Sequence, residues 1–387
     1  MPATLGRDPL LAAAEVATVA TEYADVTERE RRLAEPVVEA LRVRDFGGMA
    51  LPRRLGGAAL APETIVEVLE RIGTADGSAG WVAMIVSTSS LLAGYLPPDT
   101  AAVVFADGPR TFAAGALAPK GKGTPTGDGV RVSGRWPFGS GSLHASWIAG
   151  GVIVEGRPPL PSGAPDVQTV LMPADDVQIL TDTWDTVGLA GSGSYDFAVA
   201  DLHVPSEFVT SLVTVEPWPD DPLFRFPVFG MLAVGVAAVM LGIARGAIDE
   251  LVVLAGAKTP TGSRRRLAER PHTQAAVAAC EARLAAARQS LRDVAAEAYE
   301  LAGTEGRIDD VTRARLRMAA TLAAETSVAV VDAMYEVGGG TSVYETWGLA
   351  RRFRDVHTAS QHMAIAPPTW ELAGRILLGL ETDTATL

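Results

Sequence analysis

Two of the five histidines in this 387-residue chain, His357 and His362, fall within one stretch near its far end, Arg351 to Arg375, which reads RRFRDVHTASQHMAIAPPTWELAGR. Imidazole is the side chain whose proton moves near neutral pH, so a histidine at a site edge is a candidate acid, base or hydrogen-bond donor. The spacing predicts one helix from Phe353 to Ala366, stopped at Pro367, because proline lacks the N–H and clashes with the preceding turn. On that helix Arg354, Thr358 and His362 stack at i, i+4 and i+8, so one face offers a cation, a hydroxyl and an imidazole. His357 lies about 140° away at 3.6 residues per turn and is placed to pair with Gln361. An amphipathic helix with ordinary polar decoration has the same pattern, and only a bound molecule separates the two readings.

Two further stretches bear on chemistry. Asp76-Gly77-Ser78-Ala79-Gly80-Trp81 opens an apolar run in which Asp76 or Ser78 can cap a helix, and its small residues leave room for a partner against the Trp81 indole. A helix start carrying a core tryptophan reads the same way. Gly139-Ser140-Gly141-Ser142, followed by His144, has the look of a nucleophile elbow, but no strand-to-helix turn with a partnering acid accompanies it, which argues against hydrolysis. His144 also fits a strand-end histidine contacting solvent. His203 and His272 read as surface residues.

The elements that must position these groups follow from composition. With 48% hydrophobic and 20% charged residues, the chain has the makeup of a compact globular protein of two or three parts. A net charge of -13 and a pI near 4.9 exclude the clustered cations that nucleic-acid binding needs, despite the short run Arg264-Arg265-Arg266. The lone Cys280 rules out an internal disulfide or a cysteine metal site, and no metal site is expected. The opening residues carry Arg7 and Asp8 and have no apolar core of export length, which points to a cytoplasmic protein. The uncharged segment Phe226 to Ala244 approaches spanning length, but Pro227 and glycines 230, 235 and 242 favour a buried core helix over a membrane span.

Helical spacing runs from Pro9 to Arg44 as two helices and again from Ala61 to Ile72, closing at Gly73. Between Arg110 and Thr214, short Val-, Thr- and Phe-rich runs broken by Gly, Pro and Asp predict strands at Gly129–Gly134, Trp147–Val154, Thr169–Met172 and Tyr195–Leu202. Helical patterns return from Pro222, over the apolar segment, Pro271–Leu301 and Asp309–Val337, the last broken by Gly338-Gly339-Gly340. The chain is thus α+β: a helical part over 1–109, a small antiparallel β domain over 110–215, and a helical bundle over 216–387.

At this point the residues carry a resemblance. Arg135-Trp136-Pro137-Phe138-Gly139-Ser140-Gly141-Ser142-Leu143-His144-Ala145-Ser146-Trp147 is similar to the β-domain signature of the flavin-dependent monooxygenases built on the acyl-CoA dehydrogenase fold. Trp184-Asp185-Thr186-Val187-Gly188-Leu189, then Gly191-Ser192-Gly193-Ser194 and Val204-Pro205, resembles a later strand and hinge of the same family. Asp76-Gly77-Ser78 with Trp81, Gly339-Gly340, and Arg354-Asp355-Val356-His357-Thr358 through Gln361-His362 complete a match from about Glu30 to Gly379. The dehydrogenases place their glutamate base near the last of these motifs; this chain reads Ala359-Ser360-Gln361-His362-Met363-Ala364 there, with no carboxylate. The resemblance therefore implies a two-component monooxygenase that receives reduced FMN or FAD from a separate reductase.

What the resemblance implies is specific. Reduced flavin and O2 would form a C4a-hydroperoxide, sheltered from water by the protein, which hydroxylates an apolar aromatic or polyketide-like small molecule. Oxidation of an amine or amino sugar, or ligand binding without turnover, are the alternatives. Ser140 and Ser142 would meet the flavin ring edge, Trp136 and Phe138 line it, and Trp81 wall it from the helical part. Gly339 and Gly340 would permit close backbone approach, while Lys258 and Arg265 are candidates for the flavin phosphate, reached from a neighbouring subunit of a homotetramer. His362 would be the principal catalytic group, with Ser142 and His144 beside it. The apolar runs Leu91–Tyr95, Phe112–Leu117 and Phe224–Phe229 would wall the acceptor site.

Overall fold

Helix starts in this chain are set by prolines and acidic caps. Asp8 accepts from the Leu11 N–H (3.0 Å) just before Pro9 opens the first helix. The computed structural model describes residues 4–306 and 308–387. Its helices before the sheet are α1 (Pro9–Glu22), α2 (Ala24–Glu30), α3 (Glu35–Val43), α4 (Pro62–Ala75), α5 (Gly77–Ser89) and α6 (Pro98–Val104); after it come α7 (Val228–Ala257), α8 (Pro271–Thr304), α9 (Asp310–Gly338), α10 (Gly348–Ala359) and α11 (Pro368–Leu377). Between them lie β1 (Ala113–Pro125), β2 (Gly129–Trp136), β3 (Trp147–Val154), β4 (Gln168–Pro173), β5 (Gln178–Leu180), β6 (Asp196–Pro205) and β7 (Val209–Thr210).

The seven strands form one sheet in the order β5-β6-β2-β1-β3-β4-β7. The sheet is mixed rather than purely antiparallel, because its two central strands, β1 and β3, run parallel. Strand β1 went unforeseen: Ala-Ala-Gly-Ala-Leu-Ala-Pro-Lys-Gly-Lys-Gly-Thr-Pro has almost no strand-forming residues. Its glycines are there for a neighbour, since a Cβ at Gly121 would lie 2.3 Å from the Trp136 ring. Trp136 is fully buried, stacks on Phe197 at 5.1 Å and donates its indole N–H to the Gly151 carbonyl (2.8 Å).

Helix α7, the uncharged segment, is a core helix, packed between α4 and α9 with α5 and α10 across it. Val228–Ala257 and Gly77–Tyr95 are both long and apolar enough to cross a membrane, and 78% and 89% of their apolar windows are buried inside the protein. Helices α4, α5 and α7 meet backbone to backbone: a Cβ at Gly242 would stand 2.3 Å from the Glu70 carbonyl oxygen, and one at Gly80 2.8 Å from the Gly73 Cα. Gly242→Ala is therefore expected to destabilise the protein. Overpacking against backbone that cannot rotate away costs about 1–3 kcal/mol, more than the ~1 kcal/mol that alanine returns in helix propensity. A lower urea midpoint checks this, and a midpoint equal to or above the wild type would contradict the close crossing.

Candidate active site

The start of α5 is held from both sides. Arg352 donates to the last carbonyls of α4, those of Gly73 (3.1 Å), Thr74 (2.7 Å) and Ala75 (2.9 Å), and Asp76 accepts from the Ala79 N–H (2.7 Å) to cap α5. Gly77 has no side chain because the Asp355 carboxylate occupies that space, 2.8 Å from where a Cβ would stand. The small residues ahead of Trp81 thus serve helix packing. With α5 so fixed, the buried Trp81 points its indole N–H at the Ser140 hydroxyl (3.1 Å).

From there a directed chain of hydroxyls runs across the β domain. Ser192 donates to the Leu189 carbonyl (2.7 Å), which spends its only proton, so Ser194 must donate to Ser192 (2.8 Å) and Ser140 to Ser194 (2.7 Å). Ser140 consequently has no proton left for a bound molecule. Ser142 differs. It follows Gly141, whose φ of +73° turns the chain, and its hydroxyl is buried with no hydrogen-bond partner. A buried hydroxyl left unpaired is costly, and this one lies two residues after the serine that holds the tryptophan.

His362 reaches the same tryptophan from the C-terminal helices. Its ring meets the Trp81 ring edge-on, with centroids 5.7 Å apart. The backbone there is extended, and Nδ1 accepts from the Ala364 N–H (3.2 Å), which places the ring proton on Nε2. Burial, reinforced by Arg317, lowers its pKa to about 4, so the imidazole is neutral at neutral pH. Arg317 also holds the Ala364 carbonyl (3.0 Å). His144, in the turn Ser142–His144, is likewise lowered to about 4 by burial and by Arg32 and Arg42.

Trp81 therefore joins the turn after β2, through Ser140, to the segment after α10, through His362; Ser142 follows in that turn, and His144 at its end is faced by Arg32 and Arg42. Several sequence expectations are corrected. Helix α10 ends at Ala359, where the Ser360 hydroxyl bonds back to the His357 carbonyl (2.8 Å), so His362 does not share a helix face with Arg354 and Thr358. Arg354 pairs with Glu28, and His357 pairs with Asp332 (2.8 Å) while packing on Phe353, leaving Gln361 aside. Trp136 belongs to the β core and lines no recess. Phe138 is exposed, at φ +65°, and meets Trp184 edge-on at 6.2 Å. The runs 91–95 and 224–229 pack on each other, with Phe224 against Gly94. His272 is exposed and His203 half-buried beside Asp128.

The expected phosphate ligands form a separate group. Lys258 donates to the Gly338 carbonyl (2.6 Å) at the end of α9, beside Gly339, whose φ of +60° and ψ of -150° admit little but glycine. Gly340 and Arg265 are exposed. Ile243 packs on Gly77, and the fifteen residues from it to Lys258 put this group about 22 Å along α7 from the tryptophan. A groove of about 760 Å3 lies elsewhere, among Thr18, Glu67, Glu70, Arg245, Arg288 and Arg292, where Glu67 and Glu70 already pair with Arg292 and Arg288. Sequence reasoning missed Arg352, Asp355, Ser192 and Ser194 as parts of the site. Asp355 and the two serines stood within the motifs that carry the resemblance, and only their pairing across the fold shows their part.

Comparison with known proteins bears on the fold and the family. The family model described as acyl-CoA dehydrogenase, C-terminal domain, matches residues 234–367. The chain is 33% identical over 354 residues to an indole-3-acetate monooxygenase of Pseudomonas putida, covering 91% of this chain and 89% of that one. It is 29% identical over 388 residues to the oxygenase component of an FADH2-dependent resorcinol hydroxylase of Rhizobium sp., covering 95% and 93%. The crystal structure of 3-HSA hydroxylase from Rhodococcus sp. RHA1 superposes with a TM-score of 0.90 at 25% identity, over 98% of this chain and 99% of that one.

Proposed function

Because this chain belongs to the flavin-dependent monooxygenases of the acyl-CoA dehydrogenase fold, as the oxygenase component of a two-component system, we propose that it oxygenates an aromatic acceptor beside Trp81, Ser142 and His362. The observation that carries this placement is the buried, unpartnered Ser142 hydroxyl, two residues after the serine that binds Trp81, whose ring meets the neutral His362 imidazole. That donor set fits a flavin, whose ring edge offers carbonyl and nitrogen acceptors and whose faces are flat and apolar. Reduced flavin, delivered by a separate reductase, supplies the electrons that activate O2. The chain's own residues do the rest. Ser142 would donate to the ring edge and fix its position, Trp81 would wall it, and Ser140 keeps the indole from turning.

His362 acts as a neutral donor. Its Nδ1 is taken by Ala364, so the Nε2–H is the hydrogen left to meet an acceptor's oxygen. His144, also neutral, lies two residues beyond Ser142 and would flank the ring edge. Burial of the surrounding wall excludes water, which would otherwise compete for activated oxygen. An aromatic acceptor is favoured because the relatives named above are an indole-3-acetate monooxygenase and a resorcinol hydroxylase. Lys258 and Arg265 are assigned to the flavin phosphate of a neighbouring copy in a homotetramer, Gly339 and Gly340 to close backbone approach to the cofactor, and the protein to the cytoplasm.

Ser142→Ala tests the placement. Losing one hydrogen bond of about 1–1.5 kcal/mol should weaken reduced-flavin binding about tenfold, with H2O2 released at the expense of product. Unchanged flavin affinity and unchanged product yield per O2 would contradict it.

A further inference from the structure

We propose that Asp355 is a positioning residue for the flavin recess: from α10 it holds the Leu189 turn, and through that turn it sets the serine chain that ends at Trp81. The inference rests on the flavin placement above. Asp355 is buried, and its Oδ1 accepts from the Leu189 N–H at 2.6 Å. Leu189 has a φ of +50°, a conformation leucine rarely adopts without an outside hold. Its carbonyl is where the chain ends, accepting from Ser192 (2.7 Å) and from the Trp184 indole (3.2 Å). The turn sits directly on α10, since a Cβ at Gly188 would stand 2.0 Å from the Arg354 carbonyl oxygen. The second carboxylate oxygen of Asp355 has no partner and lies against Gly77, the first residue of α5. One side chain thus ties together the start of α5, the β-domain turn and α10.

The charges around it make this hold sensitive to pH. Asp76, at the head of α5, and Glu28, on α2, face Asp355 with like charge, and Arg352 of its own helix opposes them. Arg352 is shared with Glu250 of α7, while Arg351 and Arg354 are taken by Asp25 and Glu28 of α2. Burial, then Asp76, raise Asp355 to about 7, and burial raises Asp76 as well. The sign follows from a folded pKa above the unfolded value of about 3.9. The associated stabilisation is complete below that value and is lost as pH rises through about 7. Near neutrality, therefore, the far end of the serine chain is anchored by a group changing its charge.

Oxidised riboflavin, which carries no phosphate and whose ring does not titrate between pH 5.5 and 9, is the probe, with its dissociation constant read from flavin fluorescence across that range. The wild type should show an inflection near pH 7. Asp355→Asn should remove it, and Asp355→Ala, which lacks the acceptor for Leu189, should bind about tenfold more weakly throughout. Asp76→Asn keeps the helix cap and deletes the like charge, so the inflection should move to lower pH. A wild type without the inflection, an Asp355→Asn that retains it, or an Asp76→Asn that leaves it in place would overturn the inference. Should an Asp355 variant fail to fold, Asp76→Asn decides. Ser142→Ala run alongside separates the two readings: if it weakens binding while the aspartate variants follow the wild type, only Asp355 loses its assignment; if it too is without effect, the flavin placement falls.

Discussion

His362→Asn is expected to lower product formation by about 10²–10³-fold, the range for losing a positioned hydrogen-bond donor, while flavin affinity stays within about threefold of the wild type. The choice of asparagine matters. Its side-chain oxygen can still accept from the Ala364 N–H, as a helix-capping residue does, so the segment after α10 keeps its shape. What disappears is the Nε2–H and the edge contact with Trp81. Oxygen consumption should continue and emerge as H2O2. Since the imidazole is neutral above a pKa of about 4, the wild-type rate should show no histidine-dependent loss between pH 6 and 8. Measuring product and peroxide separately checks this, and a variant with wild-type product yield would remove His362 from the site.

Arg352→Leu is the second large effect, and it acts on stability. The guanidinium is buried, donates to three carbonyls at the end of α4 and to Glu250 at 3.0 Å, and occupies space left by Gly246, where a Cβ would stand 2.7 Å from its Cζ. Leucine would leave the carbonyls unpaired and Glu250 without its cation. Breaking a buried pair from one side costs about 3–5 kcal/mol, so chemical denaturation should show a loss of that size. Arg352→Lys keeps the charge but cannot reach all four acceptors, and it should fall between. A loss under about 1 kcal/mol for leucine would mean that the α4–α5 corner is held by something else.

The order of helices, sheet and helices was legible because each part has its own periodicity, and β3 was read with its true bounds. Strand β1 was not, because its neighbours β2 and β3 make it a strand while its own residues are glycine, alanine, lysine and proline. Around the site, Trp81, Ser142 and His362 could be named from motifs, but the path between them could not. The end of α10 is set by Ser360 and by a contact with a tryptophan 281 residues earlier, which no local pattern encodes. Trp136 misled for a related reason: it stands two residues from exposed Phe138, yet strand alternation and the glycines of β1 carry it into the β core. Asp355 looked like one charge in a polar helix until the fold brought Asp76 and Leu189 to it.

The most direct measurement is a crystal structure of the protein with bound flavin. The ring edge should lie within hydrogen-bonding distance of the Ser142 hydroxyl, with the ring between Trp81 and the turn Ser142–His144 and with His362 facing the open side. A flavin ring seated in the groove between α1, α4, α7 and α8, or anywhere that leaves the Ser142 hydroxyl without a partner, would contradict the account.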